Sequence, residues 1–243
     1  MRNVFFCVFA LTTLLMGVAS AAAGRPDFTG VWARDPFPED DDEPAPGGEP
    51  AMKEPYAGQY KAFLSRRKAA DKRGAPLVDD STRCLPEGMP TIMGAVYPIE
   101  IMQNPQKIVV LAELFTQTRR IFLNEKMPPL DEIVPSYNGY SVGHWDGEVL
   151  VVETRGVRDD VRFAPWGFPH SREMKITERF RLTAPGFLED RIVIEDPPVL
   201  ARPYVFSFTY KMDPAYKIME YFCDNNRNRV EADGSVSLHV TPD

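Results

Sequence analysis

Residues 139–154 read GYSVGHWDGEVLVVET. Asp146-Gly147 is the strongest short hairpin signal in the chain, and runs of alternating residues flank it on both sides. The pattern predicts an antiparallel pair, Gly139 to Trp145 and Glu148 to Thr154, with Trp145 opposite Glu148 and His144 opposite Val149. Directly opposed residues share a face. One face then carries Tyr140, Val142, His144, Val149, Val151 and Glu153. The other carries Ser141, Gly143, Trp145, Glu148, Leu150 and Val152.

The same period extends outward. Tyr97 to Gln103, Lys107 to Phe115 and Arg119 to Leu123 read as strands on the N-terminal side. Met174 to Leu182, Phe187 to Glu195, Tyr204 to Met212 and Tyr216 to Cys223 follow on the other. Asn104-Pro105, Ala184-Pro185-Gly186 and Asp213-Pro214 mark turns between them. Adjacent strands with short connections and no βαβ alternation predict an all-β fold. The expected architecture is an antiparallel meander closed into a lipocalin-like barrel, or a strongly curved sheet, with one N-terminal helix. That helix is read over 54–72, where Tyr56, Tyr60, Phe63 and Leu64 recur at spacings of three and four.

The chain divides into residues 1–23, 24–83, 84–226 and 227–243. The first segment runs from Arg2 through the apolar stretch Val4 to Val18 into Ala19-Ser20-Ala21-Ala22-Ala23, the pattern of a secretory signal peptide. The apolar run falls short of the roughly 20 residues that a spanning helix needs. The expectation is a periplasmic or secreted protein with no membrane span in its mature form. Residues 24–83 hold a short strand around Gly30-Val31-Trp32, the acidic run Glu39 to Glu43 among prolines, and the helix. Residues 84–226 form the strand-rich domain, and 227–243 a polar tail.

The chain has 243 residues, 44% of them hydrophobic, and a net charge of −7. That is enough for a sizeable core. The acidic balance argues against a nucleic-acid partner, which needs a basic stripe. Of three cysteines, Cys7 leaves with the signal. Cys84 and Cys223 lack CxxC or Cys-His spacing, so a disulfide is the reading. The histidines 144, 170 and 239 have no metal-ligand spacing, and neither G-x-S-x-G nor a phosphate-cradling glycine loop is present. No metal or cofactor is expected.

Candidate chemistry rests on facing. Met174, Ile176, Glu178, Phe180 and Leu182 share one face, so Glu178 sits among apolar neighbours and must be paired, protonated or wet. It reads equally as a general acid or base with raised pKa and as half of an internal ion pair with an arginine. Tyr204, Phe206, Phe208, Tyr210 and Met212 form an aromatic wall. Residues 156–172, with Phe163, Trp166, Phe168 and His170, read as a lid over an open barrel end or as an Ω-loop packed on itself.

Two resemblances follow from the motifs. Cys84-Leu85-Pro86-Glu87-Gly88-Met89-Pro90, Gly143-His144-Trp145-Asp146-Gly147, Pro169-His170-Ser171, Glu178-Arg179-Phe180 and Glu220-Tyr221-Phe222-Cys223 resemble blocks of an uncharacterised family of exported bacterial proteins. Kinship and export are implied, with no established activity. Gly30-Val31-Trp32 is similar to the G-x-W that opens lipocalin barrels, although here residues 33–96 intervene before the strand series.

The leading expectation is an exported protein that binds a hydrophobic or aromatic small molecule in a barrel cavity. Tyr140, Trp145, Glu153, Trp166, Arg179, Phe208 and Tyr210 are its candidate ligand contacts. The alternative is a cofactor-free acid–base enzyme, a lyase, isomerase or hydrolase, using His144, His170 and Glu178. It requires the three groups to meet in one cavity. A third reading, an interaction module, predicts a filled barrel.

Overall fold

Nine alternating segments become nine strands: β1 (Gly30–Arg34), β2 (Ile99–Gln103), β3 (Lys107–Ala112), β4 (Gln117–Leu123), β5 (Tyr140–Asp146), β6 (Val149–Arg155), β7 (Lys175–Ala184), β8 (Phe187–Glu195) and β9 (Tyr204–Met212). In this computed structural model they close into one barrel in sequence order, with β1 bonded to both β2 and β9. The structure describes residues 24–37, 45–78, 81–163, 165–223, 228–230, 232–233 and 236–238. Residues 1–23, the acidic run and His239 lie outside the described residues.

One pair breaks the meander. β4 and β5 run parallel, matching Ile121 with Ser141 and Leu123 with Gly143. Parity requires such a step. Nine strands that alternated all the way round would leave β1 and β9 parallel, yet these close antiparallel. The proline-rich connection 124–139 is long enough to carry the chain back along the barrel and supply the parallel pair.

The central hairpin also differs in register. Asp146 pairs with Val149, Trp145 with Leu150 and His144 with Val151. The two-residue loop is therefore Gly147-Glu148, with Gly147 at φ 62 in the first central position, as a type II′ turn uses it. The slip is two residues, so the faces survive. Ser141, Gly143, Leu150, Val152 and Thr154 are buried inside, while His144 is exposed and Val149, Val151 and Glu153 are half-buried on the outer side.

β1 lies in the first 83 residues but belongs to the barrel, so the barrel reaches beyond 84–226. Tyr216 to Cys223 is not a strand. This segment bonds instead through Tyr216 Oη and the Met219 N–H to the buried carboxylate of Glu113. In the tail, β10 (Asn228–Val230) and β11 (Val236–Leu238) form a separate two-stranded sheet.

The barrel is packed from both ends. At the end bearing the β5–β6 turn, Phe28 is buried against Trp145, with ring centres 5.5 Å apart, and its carbonyl accepts the Trp32 indole N–H at 2.8 Å. At the other end the short helix α2 (Thr91–Gly94) enters the wall of strands. Met89, Ile92 and Met93 are fully buried there, and Tyr210 Oη donates to the Met93 carbonyl at 2.6 Å. Helix α1 (Tyr56–Lys72) lies outside and buries only Tyr60 and Ala70. Among the described residues no helix is long and apolar enough to cross a membrane.

Candidate functional site

Alternation along β4, β7 and β8 turns Arg119, Glu178 and Asp190 into the barrel, and all three are fully buried. Arg119 Nη1 donates to Glu178 Oε1 at 2.7 Å and Nη2 to Oε2. Nε donates to Ser141 Oγ at 3.2 Å, and Nη2 also to Thr154 Oγ1 at 2.9 Å. Glu178 is thus the ionic partner of an arginine, the structural arm of the expectation. Both Asp190 oxygens are buried without a hydrogen-bond partner. Burial first, and then the nearby Glu178 charge, push the Asp190 carboxyl well above its ordinary value, with Arg119 opposing. Burial and the Asp190 charge likewise raise the Tyr210 hydroxyl. A carboxyl that resists ionising beside the Arg119–Glu178 pair is the kind a dry interior tolerates.

The acid–base constellation does not assemble. His144 is exposed on the outer face of β5, whereas Glu178 points inward from β7. His170 sits at the barrel's α2 end. There it lines a cavity of about 30 Å³, room for a single water, with Met174, Ile194, Asp196 and Tyr204. Its Nδ1 donates to the Ser171 carbonyl at 3.1 Å, and its Nε2 is buried without a hydrogen-bond partner. Asp196 is engaged by Ser171 through Oγ at 2.6 Å and N–H at 2.7 Å.

The expected ligand contacts scatter as well. Phe208 and Tyr210 point inward but are packed: Phe208 lies under the Arg34 guanidinium at 4.3 Å, and Tyr210 is bonded to α2. Trp145 faces Phe28. Glu153 and Arg179 are on the outer surface, paired with Arg155 at 2.7 Å and Asp146 at 3.0 Å. Tyr140 is outside too, its hydroxyl donating to Glu125 at 3.1 Å. Faces decide these outcomes, because one strand presents alternate residues to opposite media.

Of the expected contacts, Tyr140 reaches an open groove on the barrel's flank and Trp166 a cavity at its mouth. The loop carrying Trp166 is packed, as an Ω-loop would be. Phe163 and Phe168 are buried on each other and on Phe206 and Tyr204, at 5.6 and 6.0 Å between ring centres. Helix α1 clamps it from outside through Tyr60 Oη to the Trp166 carbonyl and Arg67 to the Pro165 carbonyl. Beside this loop, at the barrel mouth, lies a cavity of about 230 Å³. Its walls are α2, the β3–β4 turn and the segment leading to Cys223. Trp166, Phe163, Phe115, Tyr97 and Tyr221 supply aromatic surface, and Glu87 and Thr91 supply polar groups.

Tyr221 stands between Phe115 at 5.0 Å and Tyr97 at 5.3 Å. Burial, followed by the charges of Tyr97 and Glu87, raises its hydroxyl pKa. Glu87 accepts the Ser81 hydroxyl. The disulfide between Cys84 and Cys223, expected from the sequence, pins this wall in place. Backbone strain gathers around the mouth. Phe115 and Thr116 hold φ of 57° and 49°, and Cys84 holds 56°. A bulky residue there is a genuine outlier, and such residues cluster at functional sites. Phe115, Tyr97 and Tyr221 escape sequence reasoning because they lie on three connections that only the closed barrel brings together.

No family model matches the chain, and no curated protein matches it. Among solved structures, the crystal structure of a mutant of the fluorescent protein UnaG is similar. It is 16% identical, covering 76% of this chain and 96% of that one, with a TM-score of 0.34. A likeness of that degree carries no functional information.

Proposed function

We propose that this protein is an exported binder of a small aromatic molecule, held at the mouth of the barrel rather than in its middle. The aromatic box of Trp166, Phe115, Tyr97 and Tyr221 around the 230 Å³ cavity carries the reading. The volume lies below the roughly 300–1,000 Å³ of pockets for drug-sized ligands, so it suits a one- or two-ring compound. Ring faces supply apolar contact and edge-to-face geometry. Glu87 and Thr91 orient a polar substituent. The packed interior supports this placement, since its middle is filled by side chains and α2.

Titration of the protein with one- and two-ring aromatics, followed by Trp166 emission, tests the reading. Trp32 and Trp145 lie at the far end of the barrel, and a Trp166→Phe variant identifies their background. Saturable quenching is expected. By calorimetric titration, which needs no reporter tryptophan, Trp166→Ala and Tyr221→Ala should each weaken binding about tenfold, the equivalent of about 1.4 kcal/mol. Absence of saturable change with every ring compound, or affinity untouched by both substitutions, rejects it.

A further inference from the structure

The parallel β4–β5 join leaves a seam. Along β4, β5 pairs with Ile121, Phe122 and Leu123, so the edge of Gln117 to Arg120 away from β3 lies beside the loop 136–139 instead of a strand. An open groove of about 550 Å³ runs along this flank, outside the barrel and lined by residues of β4, the loop and the start of β5.

Its chemistry has three parts. The first is cationic. Arg120 is exposed in the groove, and Lys107 lies directly opposite Phe122 on the same outer face. Among the described residues neither is in an ion pair. In a chain of net charge −7 this is a local reversal of sign. The nearby Glu125 is engaged by the Tyr140 hydroxyl. The second part is a platform: Phe122 and Tyr140 stack at 5.2 Å with 24° between planes, both half-buried. The third is an acceptor. Asn138 gives its amide N–H to the Thr118 carbonyl at 3.4 Å, and its Oδ1 is buried without a donor.

A matching ligand presents an anion to Arg120, a hydroxyl to Asn138 Oδ1, and an apolar face to the ring platform. A uronate sugar carries all three on one unit, as carboxylate, ring hydroxyls and carbon–hydrogen face. The groove is open along its length, which admits a unit within a chain. We infer that the β4–β5 flank is a second binding site, one for acidic oligosaccharides, which adjoins the aromatic site at the mouth through Phe115. Arg120 meets the carboxylate as a bidentate donor, a role a lysine cannot copy.

Calorimetric titration of the whole protein with trigalacturonate tests this. Binding is expected, weakening as salt rises because the cations are exposed. Arg120→Gln and Phe122→Ala should each lower affinity at least tenfold. Arg120 is exposed, so Arg120→Gln keeps the fold, as an unchanged melting temperature would show. Trp166→Ala should leave the trigalacturonate affinity unchanged, which separates this site from the mouth. Equal binding of neutral cellotriose overturns selection for an acid. Binding of 4-hydroxybenzoate that Arg120→Gln abolishes and Trp166→Ala leaves intact overturns the saccharide assignment. Absence of trigalacturonate binding, or binding indifferent to Arg120→Gln, overturns the site.

Discussion

At the scale of single residues, the interior cluster carries the sharpest energetic consequences. Removing Glu178 leaves the Arg119 guanidinium buried without its counter-charge. Glu178→Ala should therefore cost about 3–5 kcal/mol in chemical denaturation. Replacing both partners by apolar side chains, Arg119→Met with Glu178→Leu, should cost less than Glu178→Ala alone, since no orphaned charge remains. Asp190 acts with the opposite sign to a paired carboxylate. Its pKa in the fold is raised above the ordinary 3.8. Its contribution is fully present below that value and is lost as pH rises toward its folded pKa. Wild-type stability minus that of Asp190→Asn should fall from about pH 4 upward, as paired denaturation curves across pH would reveal. A flat difference would mean that Asp190 is ionised inside the barrel.

The inward placement of Glu178 is legible in Met174, Ile176, Glu178, Phe180. The same alternation marks Arg119 between Gln117 and Ile121, and Asp190 between Leu188 and Ile192. What alternation leaves open is that the three meet. β4 lies across the barrel interior from β7 and β8, and the distance between them depends on closure.

At the scale of elements, turns and plugs set the site. Asp146-Gly147 is a correct hairpin signal, but the glycine takes the first loop position and shifts the pairing by two residues. Side chains repeat every two residues along a strand, so the faces came through the shift intact. Helix α2 was not legible. Residues 91–94 are too short for a helical period to show, and the burial of Ile92 and Met93 comes entirely from the surrounding strands. Its fit is close. A methyl group on Gly94 would stand 2.5 Å from the buried Phe208 ring. Gly94→Ala should lower stability by about 1–3 kcal/mol in denaturant titration. A smaller loss would mean that α2 can slide within the barrel mouth.

At the scale of the whole molecule, one covalent link joins the start of the plug to the end of the last connection. Cys84 and Cys223 are 139 residues apart in sequence. The segment before Cys223 is irregular and held by Glu113, Thr116 and the ring contacts of Tyr221. Breaking the link with Cys84→Ser and Cys223→Ser should lower stability by about 2–5 kcal/mol. It should also weaken the aromatic ligand at the mouth, because Tyr221 loses its anchor. Thermal unfolding and the Trp166 titration measure the two effects separately.

By itself the sequence determined the barrel strands and their faces, the turns between them, the inward Glu178 and the cysteine pair, because each depends on neighbours a few residues away or on composition, though not that Tyr216 to Cys223 is irregular. Only the tertiary structure decided that β4 and β5 join in parallel, because parity demands a parallel pair in a closed nine-stranded barrel without saying where. It alone set the meeting of Arg119, Glu178 and Asp190, and the filling of the barrel by α2. It also moved the candidate sites to the mouth and the flank, where residues distant in the chain are brought together by closure.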